Sequence, residues 1–513
     1  MEPVRAHPLD TPHVEELAEG RSHWRGRTRL APSGNAARGC GEQHENAPRV
    51  GKRYIVRSAN RAQSLVLPVA GDWRGERHRE KTMQGVIGAG PVQARDRIAS
   101  IDTLRGVALL GILILNIVAF GLVSSAFSNP IPDGALTGVN FWTYVGVDVL
   151  FEGSMRAIFA MLFGAGVILF TARGDSPAAA TSVADLYYKR IILLILFGLL
   201  DAFLLLWTGD ILYIYGVVGL FLFPLRNVRA SRLLTAALVL LALGAATELF
   251  RFQDLTDMQT EAAEAQALLA DDHELDDEQQ EAIDAWQEEL ESIRPKQEEL
   301  EQELAMRRSG YFEVLAGQAS EVIEYQAVSV RSYFFWDSLI TMMLGMALYK
   351  YRVFGAGRSY RFYTLMTLLG FAVGLPVNAW EVYRFAASNY DIFSTIMPTY
   401  DVGRLGCAFG YIGLVMLFCK SGILSWLRVS LAAVGRMALT NYLAHSIICG
   451  LIFSGVGFGL VGELERYQLY YVVAGIWLVQ LIVSPLWLRR YRFGPAEWLW
   501  RSLTYGTRQP MRN

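Results

Sequence analysis

From about residue 98 onward, apolar blocks of about twenty residues alternate with short polar intervals, the pattern of helices that cross a bilayer. Ten blocks can be counted, at approximately 103–123, 145–172, 189–207, 210–225, 232–250, 332–350, 361–384, 401–420, 431–453 and 468–488. The pattern predicts an all-α polytopic membrane protein of about ten transmembrane helices. Thr208-Gly209 alone separates the third block from the fourth, which predicts a helical hairpin, and Gly153 predicts a kink in the second.

Lysine and arginine in the short loops give an orientation. Arg95 and Arg97, Lys189 and Arg190, Arg226 to Arg232, Lys350 to Arg361, Lys420 and Arg428, and Arg489 to Arg492 all fall on one side. The opposite loops hold Arg251, Arg384 and Arg466 outside a long insert. Both termini are therefore expected in the cytosol. Helices one to five occupy 98–252, an extracytoplasmic insert 253–330, helices six to ten 331–490, and a cytosolic amphipathic, aromatic segment 491–513.

The insert carries nineteen acids against four bases between Gln253 and Gly310. Its broken apolar stripe (Leu268, Leu275, Ile283, Trp286, Leu290) predicts solvated acidic helices, interrupted at Pro295. Residues 1–97 show no helical or strand period and are rich in Arg, Gly, Pro and Ala, a composition expected to be disordered. They include no secretory h-region, and Met83 is a second candidate start. A net charge of −2 gives no reason to expect a nucleic-acid partner. Cys407, Cys419 and Cys449 lie in apolar segments without metal-ligand spacing and read as packed thiols; no metal is expected.

A charge at the bilayer centre costs at least ~2.5–3.5 kcal/mol, so ionisable residues inside spans turn toward partners or water. The first span opens with Asp102 and Arg105 and closes on Asn116, roughly 20 Å further along a helix at 1.5 Å per residue. Glu152 and Arg156, at i, i+4, and Asp401 and Arg404, at i, i+3, are expected to form ion pairs. Asp201, Asp210 and His445, with Asn441 and Tyr442 close to the histidine in sequence, complete the set. Depth assignment gathers acids, two arginines and the imidazole in the outer half, predicting a polar cavity open to the outside. Asp102, Arg105 and Arg436 mark its inner mouth.

Five stretches in order, IDTLRGVALLGILILN, AIFAMLFGAGVIL, LLLWTGDILYIYGVVG, GRMALTNYLAHSII and FGPAEWLWRSLTYG, resemble the bacterial YeiB-like membrane proteins, which carry the domain of unknown function 418. The D-x-x-R-G opening is also similar to that of membrane-bound acyltransferases of the heparan-glucosaminide N-acetyltransferase type. That resemblance implies acyl transfer from cytosolic acyl-CoA to a glycan or lipid on the far side, with Arg105 pairing a CoA phosphate. Many O-acyltransferase relatives place a histidine where this chain has Asn116. The base would then be His445, Asp210 or Asp201, with Asn116 or Asn441 stabilising the oxyanion.

On this reading acyl-CoA is a co-substrate, no cofactor is tightly bound, and Asp102, Arg105, Asn116, Glu152, Arg156, Arg404, Asn441 and Tyr442 hold the donor or line the cavity. The bilayer and the two substrates are the partners, and a homodimer is left open. A proton-coupled transporter of a small solute, or an envelope-assembly scaffold, are the alternatives. Trp498-Leu499-Trp500 is expected to anchor an interfacial helix rather than to touch substrate.

Overall fold

The computed structural model describes residues 98–172, 177–271, 273–293, 296–331, 333–387 and 398–513. The expected disordered tail, the Met83 start and Pro295 lie outside them. Sixteen α-helices are described: α1 Ala99–Gly121, α2 Gly138–Phe151, α3 Ser154–Thr171, α4 Pro177–Leu204, α5 Leu212–Leu222, α6 Ala230–Ala270, α7 Asp277–Ile293 and α8 Gln297–Arg307. They continue with α9 Tyr311–Arg331, α10 Tyr333–Lys350, α11 Tyr360–Ala387, α12 Tyr400–Ser421, α13 Ser425–Arg436, α14 Ala438–Phe453, α15 Arg466–Arg490 and α16 Pro495–Tyr505. Among the described residues the only non-helical pairing is an isolated bridge between Tyr491 and Arg512.

Six helical stretches are long and apolar enough to cross a membrane: α1, the joined α2–α3, α6, α11, α12 and α15. The protein is a multi-pass helical membrane protein. An all-round apolar helix belongs either inside a bundle or against lipid, and burial separates the two. In the apolar window of α1, 72% of residues are buried; in that of α6, 11%. So α1 is the axis of the bundle, packed by α3, α12, α13, α14 and α15, while α6 lies at the periphery. The end of the bundle holding the start of α1 is termed proximal here, and the end holding its finish, distal.

Between helices in lipid, close approach supplies the association energy, and small residues permit it. A Cβ added at Gly164 of α3 would lie 2.0 Å from the Met342 carbonyl oxygen of α10. One at Gly345 would lie 1.9 Å from that of Met161. This reciprocal crossing admits no side chain on either helix. Gly106 of α1 and Gly435 of α13 make a second, each abutting the other helix's backbone.

Two spans are interrupted, the ninth against expectation and the second at the expected Gly153. The ninth is broken at Met437 into α13 and α14, because α13 turns to cross α1 at Gly435. The second breaks where Gly153 takes φ 62° between α2 and α3, a left-handed conformation that suits glycine. The insert is helical as its stripe implies, with Leu255 and Ala262 of α6 packed on Trp286 of α7. It is also pinned to the bundle. Arg307 of α8 donates to the carbonyls of Ala119, Phe120 and Leu122, capping the distal end of α1. Glu303 in turn accepts from the Ser124 amide and hydroxyl.

Candidate functional site

The tightest polar arrangement is set by the turn between α4 and α5. Asp201 lies in the last turn of α4 and Asp210 just before α5, and the loop folds back so that the two acids face each other. Asp210 is tied down. Its Oδ2 accepts the Tyr213 amide at 2.8 Å, the bond an N-cap makes, and its Oδ1 accepts the Tyr442 hydroxyl at 3.2 Å. The same hydroxyl accepts the Ile211 amide. Asp201 is fully buried with the Asp210 carboxyl and the Ser446 hydroxyl as its near polar neighbours, both at the outer limit of hydrogen bonding. Gly198 makes room for the hairpin, since a Cβ there would lie 2.5 Å from Asp210 Oδ2. In the loop, Leu206 adopts φ 58°, a strained conformation for a bulky residue.

Two cavities approach this pair from opposite ends. The proximal one, about 320 Å³, is entered past Asp102, Arg105, Arg190, Arg436, Glu497 and Arg501. Beyond them its walls are apolar, including Phe159, Phe163, Phe170 and Leu194, and they reach Tyr215 and Tyr442. The distal one, about 180 Å³, is bounded by Leu204 to Leu206, Phe120, Ser446 and Cys449, and by Arg307, Tyr311 and Gln318 of the insert. Tyr442 lines the first and Ser446 the second. They stand one turn apart on α14, about 6 Å at 1.5 Å per residue, so the acid pair lies at a thin partition.

The proximal mouth is built by contacts the sequence did not reveal. Arg105 pairs with Asp102 at 2.9 Å and reaches the Gly435 carbonyl at 3.4 Å. The Arg190 guanidinium lies 3.5 Å over the Trp500 ring, whose indole nitrogen donates to the Arg190 carbonyl. Glu497 accepts from the amides of Leu439 and Thr440 and from the Thr440 hydroxyl. A carboxylate thereby caps the start of α14 from another helix. Burial raises the Glu497 carboxyl above its ordinary value, and these Thr440 and Leu439 bonds partly offset the rise. Four guanidiniums against two carboxyls leave the mouth cationic. Trp500 lies on α16 and lines the cavity.

The other predicted residues lie elsewhere. His445 is buried with Nε2 3.1 Å from Gln480 Oε1, and Asn441 donates to the Val434 carbonyl and to Ser484. Both use a face of α14 adjacent to the one carrying Tyr442 and Ser446, and neither lines either of these two cavities. Asn116 is half-buried and also outside both linings. Glu152 and Arg156 do not pair with each other, because the break at Gly153 removes the helical register. Arg156 pairs with Asp337 of α10, and Glu152 accepts the Tyr400 hydroxyl at 2.8 Å. Arg404 bridges Asp401, as its spacing implied, and also Asp337. This network clasps α3, α10 and α12 away from both cavities.

Sequence reasoning missed the buried face of α9. Val314, Gln318, Val322, Gln326 and Ser329 are all buried and recur at i, i+4, i+8, i+12 and i+15, a helical stripe readable in advance from the spacing.

Comparison with known proteins follows the same outline. Residues 348–507 match the family described as "Protein of unknown function (DUF418)". The "Uncharacterized protein YeiB" of Escherichia coli (strain K12) is 31% identical over 417 residues, covering 80% of this chain and 96% of that protein. The "Uncharacterized protein YxaH" of Bacillus subtilis (strain 168) is 27% identical over 441 residues, 82% of this chain and 97% of its own length. An "Uncharacterized 39.9 kDa protein in amylase 3'region" of Bacillus acidopullulyticus is 24% identical over 436 residues, with 82% and 97% covered. No solved structure matches the chain. The similarity to YeiB runs through nearly the whole of that protein, and the chain belongs to the YeiB-like family.

Proposed function

We propose that the protein is a transmembrane acyltransferase of the bacterial inner membrane, with ten crossings, both termini in the cytosol and the acidic insert outside. The observation that carries the reading is the proximal cavity, a cationic mouth on an apolar shaft whose blind end reaches the acid pair. That shape and charge suit acyl-CoA. Arg105, Arg190, Arg436 and Arg501 take the phosphates, with guanidinium geometry matched to them, and the aromatic walls take the pantetheine and acyl portions.

The acceptor hydroxyl or amine, on a glycan or lipid, enters by the distal cavity. Asp201, the acid that lies behind Ser446 at the distal cavity, removes its proton as the acceptor's lone pair attacks the thioester carbonyl carbon. Tyr442, whose hydroxyl donates to Asp210, closes the end of the shaft beside the reacting carbonyl. The C–S bond then breaks, and the CoA thiolate takes up the proton from Asp201. Holding both substrates against one partition supplies rate by positioning. No step requires His445, Asn116 or Asn441.

The test is binding of radiolabelled acetyl-CoA and palmitoyl-CoA to the full chain in nanodiscs, beside Arg105→Ala. Saturable binding weakened at least tenfold in the variant supports the reading; absence of binding by either thioester overturns it. A second reading is favoured by one feature, two facing acids between opposed cavities, which also suits a proton-coupled solute carrier. Proton movement into proteoliposomes driven by a solute gradient, without acyl-CoA binding, would replace the first reading with the second.

A further inference from the structure

The distal cavity has a wall that the bundle alone does not supply. Arg307, Tyr311, Val314 and Gln318 come from the insert, and Gln318 is 8% exposed with its carbonyl oxygen lacking any hydrogen-bond partner. Two turns along the same face, Gln326 is 5% exposed and neither its oxygen nor its nitrogen is partnered. Buried amides are ordinarily satisfied, and each one that is not calls for an explanation. These two sit on α9, which packs against α4 and α5, the hairpin that carries Asp201 and Asp210. Tyr325 and Ser329 on that face are bonded to each other, and Tyr325 lies within electrostatic reach of Asp210.

An amide presents a donor pair and an acceptor side by side, which matches a hydroxyl that both gives and takes a hydrogen bond. The cavity, about 180 Å³, has room for about six waters at ~30 Å³ each. It therefore suits one small polar unit rather than an extended chain. A cationic amine is less well matched here, because Arg307 lines the same space.

We propose that the insert helix α9 and the α4–α5 turn form a binding subsite for a single neutral, hydroxyl-bearing unit, a sugar or polyol, with Gln318 as its first hydrogen-bonding contact. The inference rests on the acyltransferase reading for its role as acceptor site, but not for its existence as a binding site. It makes the acidic insert a specificity element: α8 fixes it to α1 through Arg307, and α9 presents the amides. A free sugar and the sugar headgroup of a lipid share the required chemistry.

The experiment is saturation-transfer NMR with glucose and glucosamine on the full chain in phosphatidylcholine nanodiscs, without any acyl-CoA. Up to about 50 mM is used, where a ~1 mM site saturates. Wild type is expected to transfer saturation to glucose more strongly than to glucosamine. Gln318→Leu is expected to lower glucose affinity at least tenfold with a thermal midpoint equal to or above wild type, while Gln326→Leu, which lies outside the cavity, is expected to bind as wild type does. Adding a glucosyl diacylglycerol to the nanodiscs separates the sources. Displacement of glucose by it identifies the lipid headgroup, absence of displacement identifies the free sugar, and either supports the subsite. The proposal is overturned if glucose gives no saturable signal in wild type, if Gln318→Leu binds as wild type does, or if glucosamine is preferred. Glucose binding without acyl-CoA binding leaves the subsite standing and removes acyl transfer; the converse result does the opposite.

Discussion

The two facing acids should respond to substitution with opposite signs. Leucine keeps the branched skeleton of aspartate, so Asp201→Leu opens no cavity, although its methyls are bulkier than the oxygens they replace and offset part of any gain. It does remove a fully buried carboxyl whose only near polar neighbours are the Ser446 hydroxyl and a second carboxyl. Leaving such a group poorly satisfied costs about 1–3 kcal/mol, more when charged. The substitution also removes the repulsion it exerts on Asp210. Asp201→Leu should therefore stabilise the fold by about 1–3 kcal/mol. Asp210→Leu should destabilise it, because the Tyr213 amide loses its cap at 2.8 Å and the Tyr442 hydroxyl its acceptor. A lost cap alone is worth about 0.5–2 kcal/mol.

The measurement is equilibrium unfolding in mixed micelles, titrated with sodium dodecyl sulfate and followed by tryptophan fluorescence. Acyl transfer by the same preparations should fall by about 10²-fold or more for Asp201→Leu, the usual contribution of a general base. A more stable protein that has lost its chemistry is the signature of a residue kept for function at the expense of stability. If Asp201→Leu unfolds at lower detergent than wild type, Asp201 is a packing anchor and its assignment as the base is wrong.

Three further outcomes follow from the packing. Gly345→Ala places a methyl 1.9 Å from the Met161 carbonyl oxygen and should cost about 1–3 kcal/mol, while Gly244→Ala, with open space around it, should be neutral; equal unfolding midpoints would refute the α3–α10 crossing. Glu497→Ala uncaps α14 and should lower stability by about 1–2 kcal/mol, which unfolding in the same micelles reads out. His445→Leu leaves Gln480 Oε1 unpaired and should cost about 1 kcal/mol of stability, yet acyl-transfer assays should find activity within about threefold of wild type, under 1 kcal/mol of barrier.

What the sequence made legible follows from the range of each interaction. Apolar block length marked the helices of the bundle, because crossing a bilayer is a local demand on composition. The charge bias of the loops predicted a side for each, again locally. The site needed non-local knowledge. Asp201 and Asp210 were visible as intramembrane acids, but their facing geometry depends on the backbone of Leu206 and on the absence of a side chain at Gly198. His445 drew attention as the one imidazole within a span, and a difference of one residue on α14 turns it from the partition toward Gln480. Glu152 and Arg156 had the spacing of a pair, but that spacing has meaning only in an unbroken helix. Glu497 stood in a conspicuous motif whose physical reason, capping α14 from α16, appears only once the two helices meet.

Where local rules are broken is itself an argument for where the site lies. A folded chain generally satisfies its buried polar groups and keeps bulky residues out of left-handed backbone, and exceptions persist where function holds them. Leu206 breaks the second rule, as Arg352 and Leu424 do elsewhere, and Asp201, Gln318 and Gln326 break the first. Ser125 and Tyr470 also lack partners elsewhere, so an orphaned atom alone would locate nothing. What distinguishes the other four is their convergence. Leu206 and Gln318 line one cavity, Asp201 lies behind Ser446 in its wall, and Gln326 extends the same stripe of α9. Ion pairs, caps and glycine crossings elsewhere in the bundle are well matched, so the mismatch cannot be put down to a loosely specified fold. The distal cavity is thus the place where bound ligand would satisfy groups the protein leaves open, whichever of the two proposed activities it serves.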